Sequence, residues 1–225
     1  MSGVVRPALA IAANDLRMEL RGRRVTDLVI PFAMALLVIL GLSFGPGRTA
    51  LEQAAPAAIW TTMLLSALLS LRSGYEADTE DDAFEELLLS PVDRAAIYLG
   101  KAAALAVELV MLAAGVVVLT TILFQGGTGV LAAPSVVAIV LGSVGIAAAG
   151  HVFAAVTVRA RGADPLLPLL VLPVCAPVIV AGVQATAHAA AGEPAAAWGW
   201  VGPLAAFALL TSSVGVLAFE HVVES

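Results

Sequence analysis

Apolar residues fall into six long runs, at about 27–45, 54–72, 96–124, 134–158, 165–188 and 199–219. The runs are continuous rather than alternating, which argues against half-buried strands. About 20 helical residues cross the ~30 Å hydrocarbon layer, so each run reads as a membrane span. In lipid every backbone amide must be satisfied within its own segment, which again selects helix. The expected fold is an all-α, polytopic membrane protein with six transmembrane helices in a single domain over residues 1–225.

The polar positions refine this picture. Residues 8–24 set Leu9, Ala12, Ala13, Leu16 and Leu20 at helical spacing, with Arg17, Arg21 and Arg24 opposite. That pattern suits an N-terminal interfacial helix, with a solvated leader helix as the alternative. The longest polar stretch, Arg72 to Lys101, holds eight of the seventeen carboxylates. Within it Thr79-Glu80-Asp81-Asp82 resembles a capping box. Ala83, Phe84, Leu87 and Leu88 then share one face, which predicts a short amphipathic helix over 79–90. Ser90 as N-cap, Pro91 in the first position and Asp93 in the third would start the next helix. Span three would then project below the membrane and cross into it near Lys101.

Three prolines, Pro168, Pro173 and Pro177, interrupt span five. Each internal proline removes a backbone hydrogen bond. Pro173 and Pro177 are therefore expected to mark a kinked or unwound hinge or cavity-lining segment, or else a static packing kink. Gly41 and Gly45 form a small-residue pair suited to close helix approach. Trp60, near a span-two start at Pro56, and Trp198 and Trp200 at the start of span six are expected as interfacial anchors.

Composition excludes a soluble domain of useful size: 60% of residues are apolar, 12% are charged and mean hydropathy is +1.00. Ten of the eleven Lys and Arg residues fall on one side of the spans, with only Arg48 on the other. This positive-inside bias predicts that both termini are cytoplasmic, and the inner membrane is the expected location. The 26-residue lead before span one, with no A-x-A site soon after Ser43, argues against a cleaved signal peptide. The net charge of -6 comes largely from the 76–93 acid cluster, and the few basic residues do not suit nucleic acid. Cys175 stands alone, so neither a disulfide framework nor a Cys-rich metal site is expected.

Candidate chemistry is sparse. Gly100-Lys101-Ala102 lacks the upstream glycine and the hydroxyl of a phosphate-binding loop, and neither H-E-x-x-H nor C-x-x-C occurs. Energy for any driven process must then arrive from outside the chain. Glu108, an intramembrane carboxylate, suits a transport role, a shallow snorkelling position or a bond to a neighbouring helix. His151 lies among Gly142, Gly145, Ala147, Ala148, Ala149 and Gly150, which suggests tight packing. Its imidazole suits haem ligation or a hydrogen bond across the bundle. His188, near the outer end of span five, is reachable by an outward-facing cofactor. No acid–base, nucleophilic or metal constellation emerges, so the chain is expected to be non-catalytic.

Certain segments look familiar. These are Ile59-Trp60 followed by LLSALLSLR, then Phe84-Glu85-Glu86-Leu87-Leu88-Leu89 with Pro91, and Lys101 ten residues later. Arg161-Gly162 and Val171-Leu172-Pro173-x-x-x-Pro177 complete the pattern. Over nearly its whole length the chain resembles the CcmB family, the haem exporter protein B permeases of ABC-type cytochrome c maturation complexes. Asp82 stands where that family usually has a glycine.

The resemblance implies a type-2 exporter (ABC-2) permease fold with a cytoplasmic coupling helix between spans two and three. Two copies would pair with two copies of a CcmA-like ATPase, joined by CcmC- and CcmD-like membrane proteins. ATP hydrolysis would serve release of a haem-loaded CcmE-like chaperone, with haem held by the partners. Phe84, Leu87 and Leu88 would anchor the coupling helix, with Glu85, Glu86, Asp93 and Arg94 as its rim and Pro91 passing motion to span three. An ABC-2 permease exporting a lipid or another small molecule remains an alternative, as do a non-transport scaffold for haem ligation and a proton-coupled carrier built on Glu108.

Overall fold

Continuous apolar runs leave the backbone no better option than internal hydrogen bonding, and the described residues are helical with no strand. The computed structural model describes residues 2–22, 25–45, 47–80, 92–124, 128–159 and 166–224. Helix α1 spans Ser2–Gly22, and a π-helical turn at Val25–Val29 leads into α2, Ile30–Ser43. Then follow α3 at Arg48–Glu80, α4 at Arg94–Leu123 and a 3-10 turn at Thr128–Leu131. Helices α5 at Ala133–Arg159, α6 at Leu166–Ala190 and α7 at Pro194–Glu224 complete the bundle.

Among the described residues five helices are long and apolar enough to cross a membrane: Arg48–Gly74, Arg94–Leu123, Ala133–Ala154, Leu167–Ala190 and Pro194–Ala218. The first expected span instead forms a shorter apolar helix, Asp27–Ser43. Its end has a definite cause. Gly45 adopts φ +73°, and the Phe44 and Gly45 amides donate back to the Leu40 and Leu42 carbonyls. This is the left-handed glycine stop of a helix. The Gly41/Gly45 pair is therefore not a packing seam, although Gly41 itself faces the ring of Phe124.

Two other boundaries move. Helix α3 starts at Arg48, ahead of the expected start at Pro56, because Leu51, Ala54 and Ala55 are already buried against the bundle. An Arg48–Glu52 ion pair of 2.8 Å, one turn apart, supports that first turn. At its other end α3 continues through Thr79 to Glu80, so Thr79 does not open a separate helix. Its 33 residues make it ~50 Å long, more than the hydrocarbon layer requires.

Helix α3 is the axis of the bundle: 72% of its spanning window is buried, against 33% for α6 and 28% for α7. The last two therefore present most of their surface outward. On α3, Trp60 is fully buried and its Nε1 donates to Thr186 Oγ1 of α6 at 3.0 Å. It is a core wedge rather than an interfacial anchor. The indole fits because Gly142 of α5 and Gly182 of α6 flank it; a Cβ at these positions would lie 2.5 and 2.3 Å from the ring. Gly145 likewise admits Phe207 of α7, and Gly150 admits Leu71 of α3. The expected tight packing around residues 142–151 is present.

Replacing Gly182 by alanine should overpack this notch and cost about 1–3 kcal/mol. Gly199 has open space around it, so Gly199→Ala should instead gain up to about 1 kcal/mol from helix propensity. Thermal denaturation of both variants in detergent checks the contrast. Equal, small shifts in the same direction would show that the notch does not constrain the bundle.

Candidate functional site

The chemistry-bearing residues gather where α1 lies against the first turns of α4. Asp93, φ -57° and ψ 129°, is the N-cap of α4, and its Oδ1 accepts the Ala95 amide at 2.9 Å. The helix therefore begins at Arg94. The expected start, with Ser90 as cap and Asp93 already in the third helical position, is replaced by a later one. An aspartate outside the helix can satisfy an orphan N–H and complement the dipole together.

Two turns into α4 come the contacts that hold α1. At Gly100 an added Cβ would lie 2.8 Å from the Ala8 carbonyl oxygen and from Ile11, so the two helices cross almost backbone to backbone. Beside the crossing, Lys101 Nζ meets Asp15 Oδ2 at 3.5 Å, with only 11% and 31% of the two side chains exposed. Gly100-Lys101 thus performs a docking role, unrelated to phosphate binding.

This arrangement gives α1 three faces rather than two. Ala8, Ile11, Ala12 and Asp15 meet α4. Val5 and Leu9 are exposed on one flank, and Arg6, Arg17 and Arg21 on the other. Ala12 is consequently a packing residue and not part of a lipid-facing stripe. The separation of an apolar flank from a cationic flank is what an interfacial helix requires.

Deeper in the same region, Tyr98 of α4 is buried. Its hydroxyl reaches the Ala148 carbonyl of α5 at 3.0 Å and the Thr211 carbonyl of α7 at 3.4 Å. Gly215 of α7 leaves the space for it. His151 of α5 is buried against the Lys101 backbone of α4 and hydrogen-bonds to it. This is a hydrogen bond between two helices of the bundle. Glu108 is half-buried on α4 and accepts a short hydrogen bond from Ser70 Oγ of α3. It too bonds a neighbouring helix.

The remaining expected site residues lie apart. His188 sits at the opposite end of α6, its Nδ1 2.7 Å from Glu193 Oε2. That pair staples the α6–α7 turn, where Gly192 takes φ +78°. Pro173 and Pro177 are exposed on α6, which runs as one helix through both. Trp198 is exposed, and Trp200 packs partly against the core. Cys175 is buried within α6. Phe84, Glu85, Glu86, Leu87, Leu88 and Pro91 lie outside the described residues. Arg94 is half-buried in the first turn of α4. Among the described residues no group of three or more His, Cys, Asp and Glu side chains converges as a metal site.

The profile of the CcmB protein family matches residues 6–225. The chain belongs to the CcmB family. It is 32% identical over 185 residues to heme exporter protein B of Paracoccus denitrificans, covering 81% of this chain and 84% of that protein. It is 31% identical over 214 residues to heme exporter protein B of Pseudomonas aeruginosa, covering 87% and 89%. Five long apolar helices and the family together make it a multi-pass membrane protein.

Sequence reading missed Tyr98, Asp15 and the close approach at Gly100. An aspartate on the α1 face next to the apolar stripe, and a tyrosine among alanines in α4, were the available signals. Lys101→Met should free α1 by about 1–2 kcal/mol, since it removes the ammonium partner from a half-buried carboxylate. Amide exchange along α1 should then accelerate roughly 5- to 30-fold. Combining Asp15→Lys with Lys101→Asp should recover most of the protection. Unchanged exchange in the single variant would show that the ion pair does not hold α1.

Proposed function

We propose that this chain is the non-catalytic membrane permease subunit of an ABC-type complex for cytochrome c maturation. The observation that carries this is membership of the CcmB family along almost the whole chain, joined to a helical bundle that offers no nucleotide-binding loop. The heme exporter protein B relatives supply the haem connection. ATP is bound and hydrolysed by a CcmA-like partner. CcmC- and CcmD-like membrane proteins and a CcmE-like chaperone handle the haem, and the chain pairs with a second copy of itself. It resides in the inner membrane with both termini cytoplasmic and Asp27–Ser43 as a sixth, short span.

The mechanism is mechanical. Residues 79–90 present Phe84, Leu87 and Leu88 to a groove on the ATPase, with Glu85, Glu86, Asp93 and Arg94 around them. Apolar anchors of this kind carry most of an interface's energy, while rim charges contribute little. Motion of the ATPase is passed by Pro91 to the start of α4. The Asp93 cap keeps that first turn helical, and the Gly100 crossing and Lys101–Asp15 pair move α1 with it. Tyr98 carries the displacement to α5 and α7 through its two backbone acceptors. Pro173 and Pro177 let α6 adjust. His151 and His188 each make a contact within the bundle or its turn, which supports leaving haem with the partners.

Leu87→Asp should leave membrane insertion near normal, because it changes no span. It should abolish recovery of the ATPase with the affinity-tagged chain and lower c-type cytochromes at least about tenfold, the scale of a lost interface anchor. Normal cytochrome levels would sink the coupling mechanism. Recovery of an ATPase without any haem-handling partner would favour an ABC-2 exporter of another molecule.

A further inference from the structure

Helix α1 carries its positive charge on the side turned away from the bundle. At 3.6 residues per turn Arg6, Arg17 and Arg21 share one face, opposite the Ala8, Ile11, Ala12 and Asp15 face that meets α4. All three arginines are exposed, and none of the ion pairs between described residues takes them in. The acids of α1, Asp15 and Glu19, lie round the helix from them: Asp15 meets Lys101, and Glu19 Oε1 accepts the Val25 amide. Beyond α1 the sequence continues with Arg23 and Arg24, which carry the same sign. The three described arginines are strung over ~22 Å of helix.

The depth of this face follows from α4. Its 30 residues rise ~45 Å, ~15 Å more than the hydrocarbon layer needs. Arg94, Tyr98 and Lys101 mark its polar end, and α1 crosses it there, at Gly100. Helix α1 thus lies along the headgroup layer. Val5 and Leu9, 53% and 64% exposed, form a strip between the arginines and the α4 contact. Such a strip enters the acyl boundary while the cations beside it stay among phosphates. A guanidinium fork matches phosphate oxygens two at a time. Phosphate is common to phospholipids, so net charge is what separates them, and a cationic face favours headgroups that are net negative.

We propose that the outer face of α1 is a docking surface for anionic phospholipid headgroups, with Arg6, Arg17 and Arg21 as its phosphate contacts. Helix α1 meets α4 backbone to backbone at Gly100 and through the Lys101–Asp15 pair, so lipid seated on that face also steadies the first turns of α4. Such a surface requires only that α1 lie at the membrane boundary, and it is independent of the cargo and of the ATPase.

Hydrogen exchange of the full-length chain tests this in nanodiscs of dioleoyl phosphatidylcholine, with and without dioleoyl phosphatidylglycerol. With phosphatidylglycerol, amides of α1 and of the first turns of α4 should exchange about 5- to 100-fold more slowly, at about fivefold for each arginine near an anionic surface. Arg6→Gln, Arg17→Gln and Arg21→Gln together should remove the difference, with the thermal midpoint in phosphatidylcholine used to confirm that the variant folds. Equal exchange of the unsubstituted chain in the two lipids overturns the proposal. So does a difference that survives in the folded triple variant, which places the anionic lipid elsewhere. Equal protection by soluble glycerol phosphate in phosphatidylcholine discs would overturn it too, by showing that a free anion suffices. Protection conferred by co-purifying subunits in phosphatidylcholine, with no gain from phosphatidylglycerol, would overturn it by assigning the face to an acidic protein.

Discussion

Gly142 and Gly182 stand so close to the Trp60 indole that neither has room for a methyl group, and the other helices are arranged around that contact. In a bilayer, apolar side chains gain little by leaving lipid for one another, because lipid tails are equally apolar. Helices adhere through close shape matching and interhelical hydrogen bonds. The Trp60 notch supplies both: a large ring bridges α5 and α6, and its N–H is spent on Thr186. Remove the close fit and α3 loses the feature that makes it the central helix. The neighbouring glycines extend the same device, Gly145 toward α7 and Gly150 toward α3.

Below that notch the adhesion changes character. At the α1 end polar contacts take over: Tyr98 to two carbonyls, His151 to the Lys101 backbone, Ser70 to Glu108 and Lys101 to Asp15. Each links different helices, and the α4 partners, Tyr98, Lys101 and Glu108, all lie between residues 98 and 108. A helix tied at several points over its first turns moves as a rod and takes its neighbours along. This is the physical basis for assigning α4 the transmission role. On the proposed reading, the same ties let a chain without a phosphate-binding loop answer to a nucleotide site on a partner.

Much of this was legible from residue order alone. Continuous apolar runs gave the helices, and the glycine- and alanine-rich run before His151 announced close packing. The family followed from the Trp60, Phe84–Leu89, Pro91 and Lys101 spacing. What stayed hidden shares one cause: a helix in lipid can be apolar all round, so periodicity does not tell which face meets protein. Trp60 therefore looked like an interfacial anchor until Gly142 and Gly182 were placed beside it. Ala12 looked lipid-facing because nothing in α1 itself distinguishes α4 from a bilayer. Boundaries failed for a related reason. Buried alanines extend α3 back to Arg48 past a proline, and the left-handed Gly45 shortens α2.

The short α2 has consequences for how the bundle meets the membrane. Asp27–Ser43 rises ~25 Å, less than the hydrocarbon thickness, whereas α3 and α4 exceed it. A short helix beside long ones either thins the bilayer locally or draws polar groups inward. Here α1 and the Val25–Val29 turn are positioned to do the second, with Glu19 capping the turn and Asp15 tied to Lys101. The mismatch also leaves α2 too short to cover α4 completely, and a cavity of about 890 Å³ lined by α1, α2 and α4 lies there.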